Sequence, residues 1–81
     1  MKVSVLKKAQ KDLKNIDDSV VKVILLAINS LKDFPNISNI KKLKNHKPIY
    51  RKRVGDFRIL FDVDDDTIYV GRILHRKEAY D

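Results

Sequence analysis

The chain has 81 residues, 43% of them hydrophobic, with 18 Lys+Arg against 11 Asp+Glu and a formal net charge of +7. That is apolar material for one small core, so a single domain over residues 1–81 is expected. No Cys is present, which excludes disulfides, thiolate metal sites and a cysteine nucleophile, and the two His are too few to build a zinc site.

Residues 2–6 alternate at period 2 and predict a short strand. Leu6, Ala9, Leu13 and Ile16 then recur at helical spacing, with Lys on the outer face. Asn15 to Asp18 is a polar break, where Asp17 or Asp18 is suited to cap a second helix. Val20, Val21, Ile24, Leu25, Ile28 and Leu31 give that helix a broad apolar face, and Pro35 stops it near Asp33. Residues 35–48 form a polar, basic connection carrying Lys41, Lys42, Lys44, His46 and Lys47, with Leu43 as an apolar pin. From Ile49 the period is 2 again. Ile49 to Val54 is a strand, Gly55-Asp56 a two-residue turn of type II′, and Phe57 to Val63 the returning strand. Asp64 to Thr67 is a second turn, Ile68 to Leu74 a third strand, and His75 to Asp81 a charged tail. No apolar run reaches the roughly 18 residues of a membrane span, and Met1 to Leu6 is too short and too alternating for a signal peptide.

The charge is concentrated. Residues 41–60 carry +7, while the +3 of residues 1–40 and the −3 of residues 61–81 cancel. Such a centre favours polyanionic partners: nucleic acid, the ribosome or an acidic protein. All five Arg follow residue 50. Arg grips phosphate with a fork, where Lys offers a mobile point charge.

With Gly55-Asp56 as the loop, Val54 lies opposite Phe57, Arg53 opposite Arg58, Arg51 opposite Leu60 and Tyr50 opposite Phe61. Alternation puts Phe57, Ile59, Phe61 and Val63 under the helices with Tyr50 and Val54. Arg51, Arg53 and Arg58 share the other face. A like-charge cross-strand pair costs stability, which is explained if an anion sits among the guanidinium groups. The alternative is that the Arg tips splay into solvent and guard the sheet against aggregation. Unbroken alternation would add Tyr69, Gly71, Ile73 and His75 to the Arg face, and Ile68, Val70 and Leu74 to the core. Gly71 marks either a bulge or a close approach. The Asp64-Asp65-Asp66 run lacks the ligand spacing of a calcium loop and reads as a solvated turn.

The stretch Tyr50-Arg51-Lys52-Arg53-Val54-Gly55-Asp56-Phe57-Arg58-Ile59-Leu60-Phe61 resembles the core motif of the RelE/ParE toxin superfamily, and His75-Arg76-Lys77-Glu78-Ala79-Tyr80 resembles its closing motif. Ala9 to Leu13 and Lys41-Lys42-Leu43 fit as well. The resemblance implies an α+β fold: an N-terminal strand and a helix hairpin packed on a four-stranded, mainly antiparallel sheet. It also implies a type II toxin working in the cytoplasm. RelE-like members cut mRNA in the ribosomal A site by 2′-hydroxyl attack, with no metal or cofactor, and a cognate antitoxin neutralises them. ParE-like members instead poison DNA gyrase. By position, the resemblance implies a catalytic set of Arg51, Arg53, Arg58, His75, Arg76 and Tyr80, with Tyr80 stacking on a base. Lys41, Lys42, Lys44, Lys47, Lys52 and Lys77 are the expected RNA-binding residues. The family's Glu base has no counterpart on the strands; Glu78 lies in the tail. Arg is a poor proton acceptor, so His75 is the titrating group expected on the Arg face.

Overall fold

The computed structural model describes residues 1–78. Its elements are β1 (Lys2–Val5), α1 (Lys7–Lys14), α2 (Asp18–Ser30), a 3-10 turn (Leu31–Asp33), β2 (Ile40–Lys42), β3 (Tyr50–Val54), β4 (Phe57–Asp64) and β5 (Thr67–His75). They build a five-stranded sheet ordered β1-β5-β4-β3-β2, in which β1 runs parallel to β5 and the other neighbours are antiparallel. The expected α+β architecture is present with one strand more. Ile40–Lys42, read from the sequence as connection, pairs with Tyr50–Lys52 and forms an edge strand. Three residues flanked by polar loop are too short to show a period of 2 in sequence.

Both helices pack on one face of the sheet. Ala9 of α1, Ile24 and Ile28 of α2 and Leu31 of the 3-10 turn meet Ile59, Phe61, Ile68, Val70 and Ile73 of the strands. Aromatic rings close this layer: Tyr50 stacks on Phe61 at 5.5 Å, and Phe34 meets both edge-on. Burying such side chains is worth about 1.5–3 kcal/mol each and drives the assembly. The predicted apolar face of α2 is too wide. Leu25 is 48% exposed, because the stripe that meets the sheet runs through Ile24, Ala27, Ile28 and Leu31. Asp17 does occupy the N-cap of α2, but its backbone carbonyl, not its side chain, receives the Val20 and Val21 N–H groups.

The β3–β4 register is the predicted one throughout, from Val54↔Phe57 to Tyr50↔Phe61. Gly55 adopts φ +56° at the first turn position, which glycine reaches without steric cost. The β4–β5 ladder departs from expectation. Leu60 pairs with Arg72 and Phe61 with Val70, so Gly71 is an extra, bulged residue. Beyond it every side chain changes face. Ile73 pairs with Ile59 and is buried in the core, while Leu74 pairs with Arg58 on the opposite side. Gly71 also leaves room for a neighbour: a Cβ there would lie 3.1 Å from Pro48 Cγ.

β1 accompanies β5 only as far as Val70, whose carbonyl accepts the Leu6 N–H. The next stretch of β5 edge is covered by Asp12 of α1. Asp12 Oδ2 accepts the Ile73 N–H at 2.9 Å and the Arg72 Nε–H at 2.8 Å, and Oδ1 accepts from Arg72 at 3.2 Å. Burial raises the Asp12 pKa, but the Arg72 hydrogen bond, the Ile73 N–H and the charges of Arg72 and Lys8 outweigh it and leave it below 3.8. The carboxylate therefore ties helix to strand through its charged form. Because the folded pKa is the lower one, the contribution is complete above the ordinary carboxylate range and is lost as pH falls through the folded value. Replacing Asp12 by Ala should cost about 1–2 kcal/mol at pH 7, allowing for the half-exposed Arg72 partner. In urea melts, the gap between wild type and variant should shrink below about pH 4.

Candidate functional site: the helix-free sheet face

The sheet face turned away from the helices collects cations in rows set by the register. Lys41 of β2 pairs with Arg51 of β3, which pairs with Leu60 of β4; in the next row Arg53 pairs with Arg58, which pairs with Leu74. Direct partners share a face, with cross-strand Cα spacing of about 4.5–5.5 Å. Lys41, Arg51, Arg53 and Arg58 thus share this face, as alternation predicts for the three Arg. Lys41 joins them through the unpredicted edge strand.

Their surroundings differ. Arg53 is exposed and Arg51 half-buried. Arg58 is only 7% exposed, and its NH1 donates to the Gly55 and Phe57 carbonyls, both at 3.0 Å. That guanidinium is thereby fixed over the β3–β4 turn, with the rigidity that a preorganised anion contact requires. Arg76 stands at the same end of the sheet. Its N–H donates to the Asp56 carbonyl at 2.7 Å and its NH1 lies 3.9 Å from Asp56 Oδ1.

Two of the candidate site residues, His75 and Lys52, are turned to the helix side. His75 pairs with Phe57, on the helix-side face, and its ring meets the Phe57 ring edge-on at 5.4 Å. The bulge at Gly71 is the cause, since one extra residue inverts the parity of everything after it. His75 Nδ1 accepts the Lys77 N–H at 3.2 Å, and its ring borders a 280 Å³ cavity with Asp12, Asn15 and Glu78. Lys52 is likewise turned inward. It pairs with Ile59, is 8% exposed, and its Nζ donates to the Ser38 carbonyl at 2.9 Å. It is not available as an RNA-binding lysine. The predicted parity already carried this, because Lys52 alternates with Arg51 and Arg53.

Lys41, Lys42, Lys44, Lys47 and Lys77 are exposed. Lys47 Nζ lies 3.7 Å from Asp62 Oδ2, while Asp62 Oδ1 accepts the Ile49 N–H at 2.8 Å. Asp62 went unnoticed in the sequence, although it follows Arg58 and Leu60 at period 2 and so lies on their face. It pins the basic loop to the sheet. Tyr80 lies outside the described residues. No group of three or more potential metal ligands occurs among the described residues, and no helix of theirs is long and apolar enough to cross a membrane.

A family model described as the ParE toxin of type II toxin-antitoxin system, parDE, matches residues 3–80. The chain is 44% identical to Toxin RelE3 of Methanocaldococcus jannaschii over 87 aligned positions, covering all of this chain and 97% of that one. Its fold matches the crystal structure of a RelB-RelE antitoxin-toxin complex from Methanococcus jannaschii with a TM-score of 0.76 and 38% identity. That match covers 90% of this chain and 89% of the other. The isolated E. coli RelE toxin shares the fold at a TM-score of 0.74 and 15% identity, over 91% of this chain and 82% of its own.

The inward and outward lysines can be separated by experiment. Lys52→Met should lower stability by about 1 kcal/mol through the lost Ser38 contact and leave elution from heparin unchanged. Lys41→Ala should elute from heparin at lower salt with its melting temperature held.

Proposed function

Because this chain belongs to the RelE/ParE superfamily of toxins from type II toxin–antitoxin systems, on its RelE branch, we propose that it is an endoribonuclease that cuts messenger RNA in the ribosomal A site. The observation that carries this reading is the Arg53–Arg58 cross-strand pair with Arg51 and Lys41 beside it on the sheet face away from the helices. Folding gains nothing from like charges held opposite one another. A phosphodiester passing through a more highly charged transition state gains a great deal.

In the proposed reaction the 2′-oxygen of the message attacks the adjacent phosphorus and loses its proton to water. The bond from phosphorus to the 5′-oxygen breaks, leaving a cyclic phosphate, and the 5′-oxygen takes up a proton. Arg51, Arg53 and Arg58 bind the non-bridging oxygens and stabilise their charge. Arg76, at the same end of the sheet, supports the leaving 5′-oxygen, and Tyr80 stacks on the neighbouring base. His75 lies on the other face. Its part is to brace the turn that follows β5, through the hydrogen bond from the Lys77 N–H. The chemistry uses the message's own hydroxyl and calls for no metal or cofactor. Lys41, Lys42, Lys44, Lys47 and Lys77 steer the complex toward ribosomal RNA and message. The protein would work in the cytoplasm, where ribosomes are. A cognate antitoxin would mask the cationic face, as the RelB-RelE complex of the similar archaeal toxin suggests.

The second reading is a gyrase inhibitor without nuclease activity, which the ParE description of the matching family model favours. Supercoiling by purified gyrase in the presence of the protein separates the two: the nuclease reading predicts no inhibition. Within the nuclease reading, Arg53→Ala is the cleaner probe, since Arg53 is exposed whereas Arg58 also braces the turn. It should slow single-turnover cleavage of ribosome-bound message by about 10²–10³-fold, or roughly 3–4 kcal/mol in the transition state. Unchanged cleavage would remove Arg53 from the phosphate clamp.

A further inference from the structure

Residues 43–49 close the β2–β3 hairpin as a loop with its own internal order. The Leu43 N–H donates to the Ile49 carbonyl at 2.7 Å and extends the ladder by one step. His46 Nδ1 lies 2.9 Å from the Pro48 carbonyl. The Ile49 N–H donates to Asp62 on the sheet, and the Pro48 ring sits over Gly71. A loop held at both ends and across its middle is a preformed wall.

Beside it lies a cavity of about 560 Å³ lined by Lys42, Leu43, Lys44, Asn45, His46 and Ile49. That volume is within the roughly 300–1,000 Å³ of small-ligand sites. Its lining combines three chemistries. Leu43 and Ile49 give an apolar floor. His46 and Asn45 bring an imidazole ring and an amide able both to donate and to accept. Lys42 and Lys44 supply positive charge at the rim. A phosphate alone would use only the lysines. An acidic peptide would use the lysines and leave the apolar floor bare. A nucleotide uses all three: its base covers an apolar floor and is read by the amide, while its phosphate meets the lysines.

We propose that this cavity is a nucleotide-binding subsite that holds one base of the RNA strand beyond the phosphate gripped by the Arg face. The connection is direct, because Leu43 and Ile49, bonded across the hairpin, follow the Lys41–Arg51 pair at period 2 and so form the next row on the same sheet face. The proposal rests on the RNA-cutting reading for its biological purpose, but it makes a claim about binding that stands apart from cleavage. A base held here would fix the register of the message on the toxin, and so bias which codon positions are cut.

The test is a two-dimensional NMR titration of the full chain with adenosine 5′-monophosphate, inorganic phosphate and a short Glu-rich peptide, each at equal ionic strength. The subsite predicts that the nucleotide moves the amide signals of Leu43 to His46 and Ile49, and gives contacts from base protons to Leu43 and Ile49 methyls. Phosphate and the peptide should act on the same signals at least about fivefold more weakly. Lys42→Ala with Lys44→Ala should weaken nucleotide binding by a similar factor, with the spectrum otherwise preserved. Equal action by phosphate or by the peptide would overturn the proposal and leave a plain cationic surface. Nucleotide-induced shifts confined to other residues would overturn it as well. Cleavage of ribosome-bound message, measured alongside, separates the two failures. Message cut without nucleotide binding here refutes the subsite alone, and binding without cutting refutes the nuclease reading alone.

Discussion

At Gly71 the β4–β5 ladder slips by one residue, and that slip decides what each side of the sheet presents. Without it Ile73 would leave the core and His75 would join the arginines. With it Ile73 packs against Ile59, Leu74 lies beside Arg58, and His75 meets Phe57. The bulged residue also lets the Pro48 ring approach closely, since a Cβ there would lie 3.1 Å from Pro48 Cγ. One glycine thus sets the parity of the last strand and seats the basic loop. Only a residue without Cβ meets the second demand without displacing a neighbour.

The two faces of the sheet obey different rules. The helix side is governed by burial: apolar side chains, stacked rings, and a lysine whose ammonium is satisfied by a carbonyl. The other side tolerates a cross-strand arginine pair that destabilises the isolated fold. Natural sheets carry such local conflicts where a partner resolves them. The stabilising contacts lie elsewhere, in the core and in the Asp12 carboxylate that ties α1 to the open edge of β5. Asp12 and Arg72 are far apart in sequence, and Arg72, opposite Leu60 at the open edge of the sheet, reaches the α1 carboxylate and holds the helix layer in place.

Much of this was legible in the residues. The β3–β4 register follows from Gly55-Asp56 and strict alternation, and it gathered Arg51, Arg53 and Arg58 correctly. The helices were placed by the spacing of Ala9, Leu13, Ile24 and Ile28. What failed did so for physical reasons. A bulge inserts a residue without any local mark except a glycine, so periodicity counted straight through it and put His75 on the wrong face. The edge strand β2 is too short to carry a pattern. Asp12 acts across sixty residues of sequence, at a distance only the folded chain reveals. Lys52 shares the helix-side parity of Tyr50 and Val54, and a charge at a core-facing position implies a buried partner, here the Ser38 carbonyl.

The proposed activity is cleavage of ribosome-held message at the helix-free arginine face. Primer extension on mRNA bound to 70S ribosomes with an empty A site, after incubation with the folded protein, tests it most directly. The account predicts a new 5′ end inside the A-site codon, bearing a hydroxyl, that forms without added metal. Intact message under those conditions would contradict it and leave the arginine face as a docking surface.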